Sequence, residues 1–97
     1  MNYMNPEYIR LASREIQWGR RIYVLHYDLI IDKLRYYNSI IEEYGVSVSS
    51  VCAGETNKHE VRRITCNEDW IMYAISLVIC GAIFPDELDE TLENILN

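Results

Sequence analysis

Residues 20–45 read RRIYVLHYDLIIDKLRYYNSIIEEYG, and the period assigned to this stretch decides the fold. Tyr23, Tyr27, Ile30, Leu34, Tyr37, Ile41 and Tyr44 recur at intervals of 4, 3, 4, 3, 4 and 3. That is an a/d-type helical stripe sustained over three heptads. Ile22, Leu29, Tyr36 and Ile40 widen it, while Asp28, Asp32, Lys33, Arg35, Glu42 and Glu43 fall mostly elsewhere. The spacing predicts one helix of about 24 residues, about 35 Å long at 1.5 Å per residue, stopping at Gly45.

The flanking segments extend this reading. In NPEYIRLASREIQW, residues 5–18, Asn5 suits an N-cap, Pro6 the first helical position and Glu7 the first turn. Ile9, Ala12 and Ile16 share one helical face, and Gly19 ends that helix or bends the chain. Val46, Val48 and Val51 look strand-like, with AGETNK as a turn and EVRRIT as a return, so a short β-hairpin is expected around residues 46–65. The alternative there is a loop with one helical turn over KHEVRRI. Asn67 caps a further helix whose first turn holds Glu68 and Asp69. Its run WIMYAISLVICGAIF is apolar on every side, which predicts burial of most faces. Pro85 starts a last helix with an apolar stripe of Leu88, Leu92 and Ile95 or Leu96. The expected fold is therefore mainly α: a single-domain bundle of three to four helices over residues 1–97, with a short hairpin as an insert.

Charge is divided unevenly. Residues 1–50 hold six basic and six acidic groups, net 0; residues 51–97 hold three basic and nine acidic groups, net −6. Such a surface repels nucleic acid and anionic lipid and attracts basic partners. Cys52, Cys66 and Cys80 are an odd number with no CxxC pattern, which points to a reducing, cytoplasmic setting, with Cys80 a small core residue. The 15-residue apolar run is shorter than the roughly 17–25 residues of a membrane helix.

No phosphate-loop, zinc-protease, nucleophile-elbow or calcium-loop pattern occurs, so no catalytic, cofactor-binding or metal-ligating residues are expected. A Cys52–His59 nucleophile pair rests on nothing but the presence of both residues. Arg10, Arg14, Arg20 and Arg21 are too few, in an acidic chain, to argue for direct nucleic-acid binding. The informative residues are acids and tyrosines. Asp86, Glu87, Asp89, Glu90 and Glu93 fall within eight positions. Asp86, Glu87 and Asp89 suit a helix N-terminus, whereas Glu90 and Glu93 each stand four residues from another acid, at a cost of roughly 0.2–0.5 kcal/mol per pair. Eight tyrosines against one phenylalanine suit a wet–dry boundary or an interface.

The expected function is a small acidic binding protein acting as a stoichiometric inhibitor, in the manner of immunity proteins, antitoxins or phage anti-defence and anti-CRISPR inhibitors. It would cover the basic surface of a nuclease or other nucleic-acid-binding protein. Partner contacts are expected at Asp86, Asp89, Glu90, Glu93, Tyr36, Tyr37 and Tyr44. The alternative is a structural or regulatory module that homodimerises through the tyrosine stripe.

Overall fold

The computed structural model describes residues 2–96. The fold is mostly β, which overturns the helical bundle. Five strands form one antiparallel sheet: β1 (Asn2–Tyr3), β2 (Glu7–Trp18), β3 (Arg21–Tyr36), β4 (Ser39–Cys52) and β5 (Glu55–Thr65). β1 and β2 follow one another along the same side of β3, and β4 and β5 continue the sheet on the other side. Two short helices complete the chain, α1 (Glu68–Cys80) and α2 (Leu88–Leu96), with a 3-10 turn over Pro85–Glu87 leading into α2.

The predicted long helix over residues 20–45 is a β-hairpin. β3 pairs with β4 from Val24 opposite Val51 to Tyr36 opposite Ser39. The reversal runs through Tyr37, at φ 54°, and Asn38. The segment is apolar at a period of two as well as at 3.5, because Tyr23, Leu25, Tyr27, Leu29 and Ile31 also alternate. Tyr, Ile and Val fit a pleated surface better than a helix. Sixteen extended residues in β3, at about 3.3 Å each, account for most of the 54 Å long axis.

The predicted first helix is likewise absent. Asn5 and Pro6 interrupt the sheet edge between β1 and β2 instead of capping a helix, and Met4 N–H donates to Lys33 O at 2.8 Å across the gap. Residues 46–65 do pair as two strands, but as half of the sheet and not as an insert in a bundle. They reverse through Ala53 and Gly54 at φ 50° and 82°, the positive angles of a tight hairpin turn.

Both helices lie on one face. Leu25, Tyr27, Leu29, Val46 and Val48 of the sheet pack against Ile71, Ile75 and Val78 of α1 and Leu88 and Leu92 of α2. Asn67 Oδ1 accepts from Trp70 N–H at 3.0 Å and so caps α1. The expected all-round burial of α1 is not found. Met72, Tyr73 and Leu77 are exposed, and so is Cys80, which is no core residue. The sheet takes the place of the missing helices, and it covers only one side of α1. Among the described residues, no helix is long and apolar enough to cross a membrane.

The opposite face has no helix over it, yet Ile30 and Asp32 are fully buried there. The sheet curls until its edges meet: Lys58 Nζ of β5 lies 5.0 Å from the centre of the Tyr8 ring of β2. Beneath this closure Asp32 takes a forked contact from Arg62, with Nε to Oδ2 at 3.1 Å, and Arg63 Nε stands 3.9 Å away. The arginines reach inward because β5 bulges: Val61 pairs with Val46, but the next rung is Thr65 with Tyr44. Arg63 takes a positive φ of 56° within the bulge. Gly45 lies opposite. A Cβ there would overlap Val61 O and sit 2.8 Å from Arg62 Cα, so the bulge fits only against glycine.

Candidate functional site: an aromatic and acidic cleft

The helices stop short of one end of the sheet. There a cleft of about 720 Å³ lies among the end of β2, residues of β3, β4 and β5, and the 3-10 turn. Its position follows from how α1 ends. Arg14 of β2 donates from Nη1 to Ile79 O at 2.7 Å and to Cys80 O at 3.2 Å, capping a helix with no basic residue in its last turn. Tyr27 OH donates to Ile83 O at 3.1 Å. Burial pushes the Tyr27 hydroxyl up to about 12, with nearby Arg14 opposing the rise. Contacts from Arg14 and Tyr27 of the sheet therefore fix the segment that carries Phe84. Phe84 N–H donates to Glu87 Oε1 at 3.0 Å, and Pro85 starts the turn.

Phe84 completes an aromatic wall. Its ring meets Trp18 edge-on at 6.0 Å and Tyr23 edge-on at 5.3 Å. Trp18, the last residue of β2, is 70% exposed. The other wall comes from β5 and the helix start: Asn57, His59, Asp86, Glu87 and Asp89. His59 Nε2 lies 2.9 Å from Asp89 Oδ1. Lys58 also contributes to the lining, but its ammonium is turned to Tyr8 and to Glu60, 3.7 Å away, on the other face. Three carboxylates thus share the cleft with the aromatic wall, Glu87 accepting from Phe84 N–H and Asp89 in contact with His59. Among the described residues, Asp86 has no ion-pair partner.

The aromatic wall was not legible as a site in the sequence. Phe84 is far in the chain from Trp18 and Tyr23 and meets them only because the helices fold back onto the β2–β3 hairpin. Of the residues expected to contact a partner, Asp86 and Asp89 line the cleft, and Glu90 and Glu93 continue the acidic surface along exposed positions of α2. Tyr36 and Tyr37 sit at the exposed β3–β4 turn, their rings edge-on at 4.6 Å. Tyr44 is buried in the core.

This chain belongs to the family of unknown function DUF6514, whose family model matches residues 9–97. No curated protein and no solved structure matches it. The match spans most of β2, all of β3, β4 and β5 and both helices, and so includes every residue of the cleft.

Other groupings in this family member carry less chemistry. Cys52 and His59 are not brought together: Cys52 pairs with Glu55, whereas His59 lies opposite Val48, four residues further along β4. The sheet does bring Ser13 Oγ within 2.7 Å of His26 Nδ1, a pair that only strand register could reveal. Among the described residues no carboxylate bonds the other ring nitrogen of His26, so nothing orients this pair as a nucleophile and base. The four early arginines disperse. Arg10 pairs with Asp28 at 2.9 Å, Arg14 caps α1, and Arg20 and Arg21 lie at the β2–β3 turn.

Proposed function

We propose that this protein is a cytoplasmic binding module that takes a cationic side chain of a partner protein in the cleft walled by Trp18, Tyr23 and Phe84. One observation carries the reading: a largely exposed tryptophan, propped edge-on by Phe84, lines the same cleft as Asp86, Glu87 and Asp89. A cation over an aromatic face gains about 0.5–2 kcal/mol, depending on desolvation. Charge-assisted hydrogen bonds to carboxylates add to this. Glu90 and Glu93 raise the negative field along α2 and speed encounter with a basic partner. The exposure of Cys66 and Cys80 as free thiols supports the reducing setting. The inhibitor, immunity-protein and antitoxin roles find no support in a β-rich fold or in the family.

Trp18 emission is the direct test, measured in a Trp70→Phe background so that one tryptophan reports. A capped peptide with a single lysine should give a saturable change that weakens with salt. Asp86→Asn with Asp89→Asn should weaken it about tenfold, equivalent to about 1.4 kcal/mol. An emission change indifferent to both substitutions and to salt refutes the reading.

A second reading has its own observation. Met72, Tyr73 and Leu77 form an exposed apolar face on α1, with Tyr73 58% exposed. The homodimer this favours associates through that face and not through a tyrosine stripe. Sedimentation analysis should show a dimer that Leu77→Glu dissociates; a native protein that stays monomeric at high concentration rules it out.

A further inference from the structure

At the β3–β4 turn, the end of β3 away from the cleft, the sheet finishes unevenly. β4 is paired with β3 from Ser39 onward. On its other side β5 stops short, and the last rung joins Tyr44 to Thr65. Thr65 Oγ1 accepts from Asn67 N–H at 3.0 Å, and Asn67 caps α1, so the chain turns out of the sheet here. Ser39–Glu43 therefore form a sheet edge, and among the described residues no further backbone hydrogen bond reaches them. In an antiparallel ladder alternate residues direct N–H and C=O away from the partner strand. On this edge those groups are open to an added strand. Five residues at about 3.4 Å each make the edge about 17 Å long.

The side chains say what that strand must carry. The edge reads Ser39, Ile40, Ile41, Glu42, Glu43. Successive side chains alternate between faces, so each face presents an isoleucine and then a glutamate: Ile40 with Glu42, and Ile41 with Glu43. Ile40 is 53% exposed and Ile41 37%. Glu42 accepts from Tyr44 OH at 3.0 Å and Glu43 from Tyr3 OH at 2.6 Å, but among the described residues neither carboxylate makes an ion pair. Lys33 stands opposite Glu42 in the ladder, yet its ammonium lies 3.2 Å from Glu7. A second copy paired antiparallel through the same five residues would set Glu42 opposite Ile40 and Glu43 opposite Ser39, leaving both carboxylates without a cation. The acids thus disfavour self-pairing and suit a basic strand. Every strand pair of this sheet is antiparallel. We infer that this edge receives an extended segment of a partner protein, added antiparallel as a further strand, in which two basic residues are followed by two apolar ones. The basic pair meets Glu43 and Glu42, and the apolar pair meets Ile41 and Ile40. This surface is separate from the cleft and does not rest on its cationic reading.

Amidated six-residue peptides with an N-terminal fluorescein report binding to the native protein by anisotropy. The probes are Thr-Lys-Lys-Val-Val-Thr, the reversed Thr-Val-Val-Lys-Lys-Thr and the acidic Thr-Glu-Glu-Val-Val-Thr. The first should bind saturably, weaken with salt and bind about tenfold tighter than the reversed form; the acidic peptide should not bind. N-methylation of one alternate set of its amides should abolish binding, and N-methylation of the other set should leave it intact. Glu42→Gln with Glu43→Gln should weaken it about tenfold, and the peptide series on the native chain stands by itself if that variant folds poorly. An excess of unlabelled Ac-Ala-Lys-Ala-NH2, which occupies the cleft under the cationic reading, should not compete. Equal binding of the two basic orders, equal effects of the two methylated sets, or no saturable binding overturns the inference. Displacement by the single-lysine peptide places the probe in the cleft, which overturns this inference and leaves the cationic reading standing.

Discussion

Arg62→Met tests the closure of the curled face. Methionine keeps much of the aliphatic volume of arginine but removes the fork that holds Asp32. Asp32 is fully buried, so its carboxylate cannot turn to water. The one remaining cation, Arg63, stands 3.9 Å away at the limit of contact. Removing one partner of a buried ion pair costs about 3–5 kcal/mol. The Arg62 side chain is 35% exposed, which lets water approach the site, so the lower end, about 3 kcal/mol, is the expected loss. For a chain of this size that is a fall in Tm of about 12–24 °C. Urea unfolding followed by tryptophan emission measures it. Combining Asp32→Asn with Arg62→Met removes the stranded charge and should recover about 1–2 kcal/mol, since a buried neutral amide is cheaper than a buried anion. A loss below about 1 kcal/mol for the single variant, or no recovery in the double variant, would show that this contact is not what secures the closed face.

Gly45→Ala places a methyl into the β5 bulge at Val61 O and Arg62 Cα; a loss of about 1–3 kcal/mol is expected, and unchanged stability to urea would contradict the tight approach. Stability should also fall in alkali. The Tyr27 hydroxyl is raised to about 12 from an unfolded value of about 10, so the folded chain holds this proton more tightly. Its contribution is therefore complete below pH of about 10 and is lost as pH rises from there through about 12, a change on the order of 2 kcal/mol. Tyr27→Phe should flatten that part of the stability–pH curve, and an equally steep fall in the variant would assign the alkaline loss elsewhere.

The closing third of the chain was the most legible part, because its signals are local. Asn67 caps α1 through a side chain three residues from the amide it serves, and Pro85 starts the turn into α2 with acids in the first turn. Leu88 and Leu92 are buried as their spacing requires. The first 45 residues misled for a physical reason. Residues 20–45 are apolar at a helical period and at a strand period at once, so periodicity could not choose between them. Asn5, Pro6 and Glu7 carry a valid helix-start signature that strand pairing overrides. Pairing joins residues such as Glu7 to Ile31 and Val24 to Val51, and no short window contains both partners.

The candidate site divides along the same line. Its acids were visible as an unusual density of charge, and Asp86 and Asp89 do line the cleft. The aromatic wall and the buried Asp32–Arg62 pair were not visible, because each joins residues from distant strands or from a strand and the returning chain. By itself the sequence determined the acidic second half, the two capped C-terminal helices and the absence of familiar catalytic motifs. Only the tertiary structure decided which face of each strand is dry, where Trp18 meets Phe84 and why glycine stands at position 45. Caps and charges act within a turn of chain, whereas sheet register is set by contacts that form only when distant segments meet.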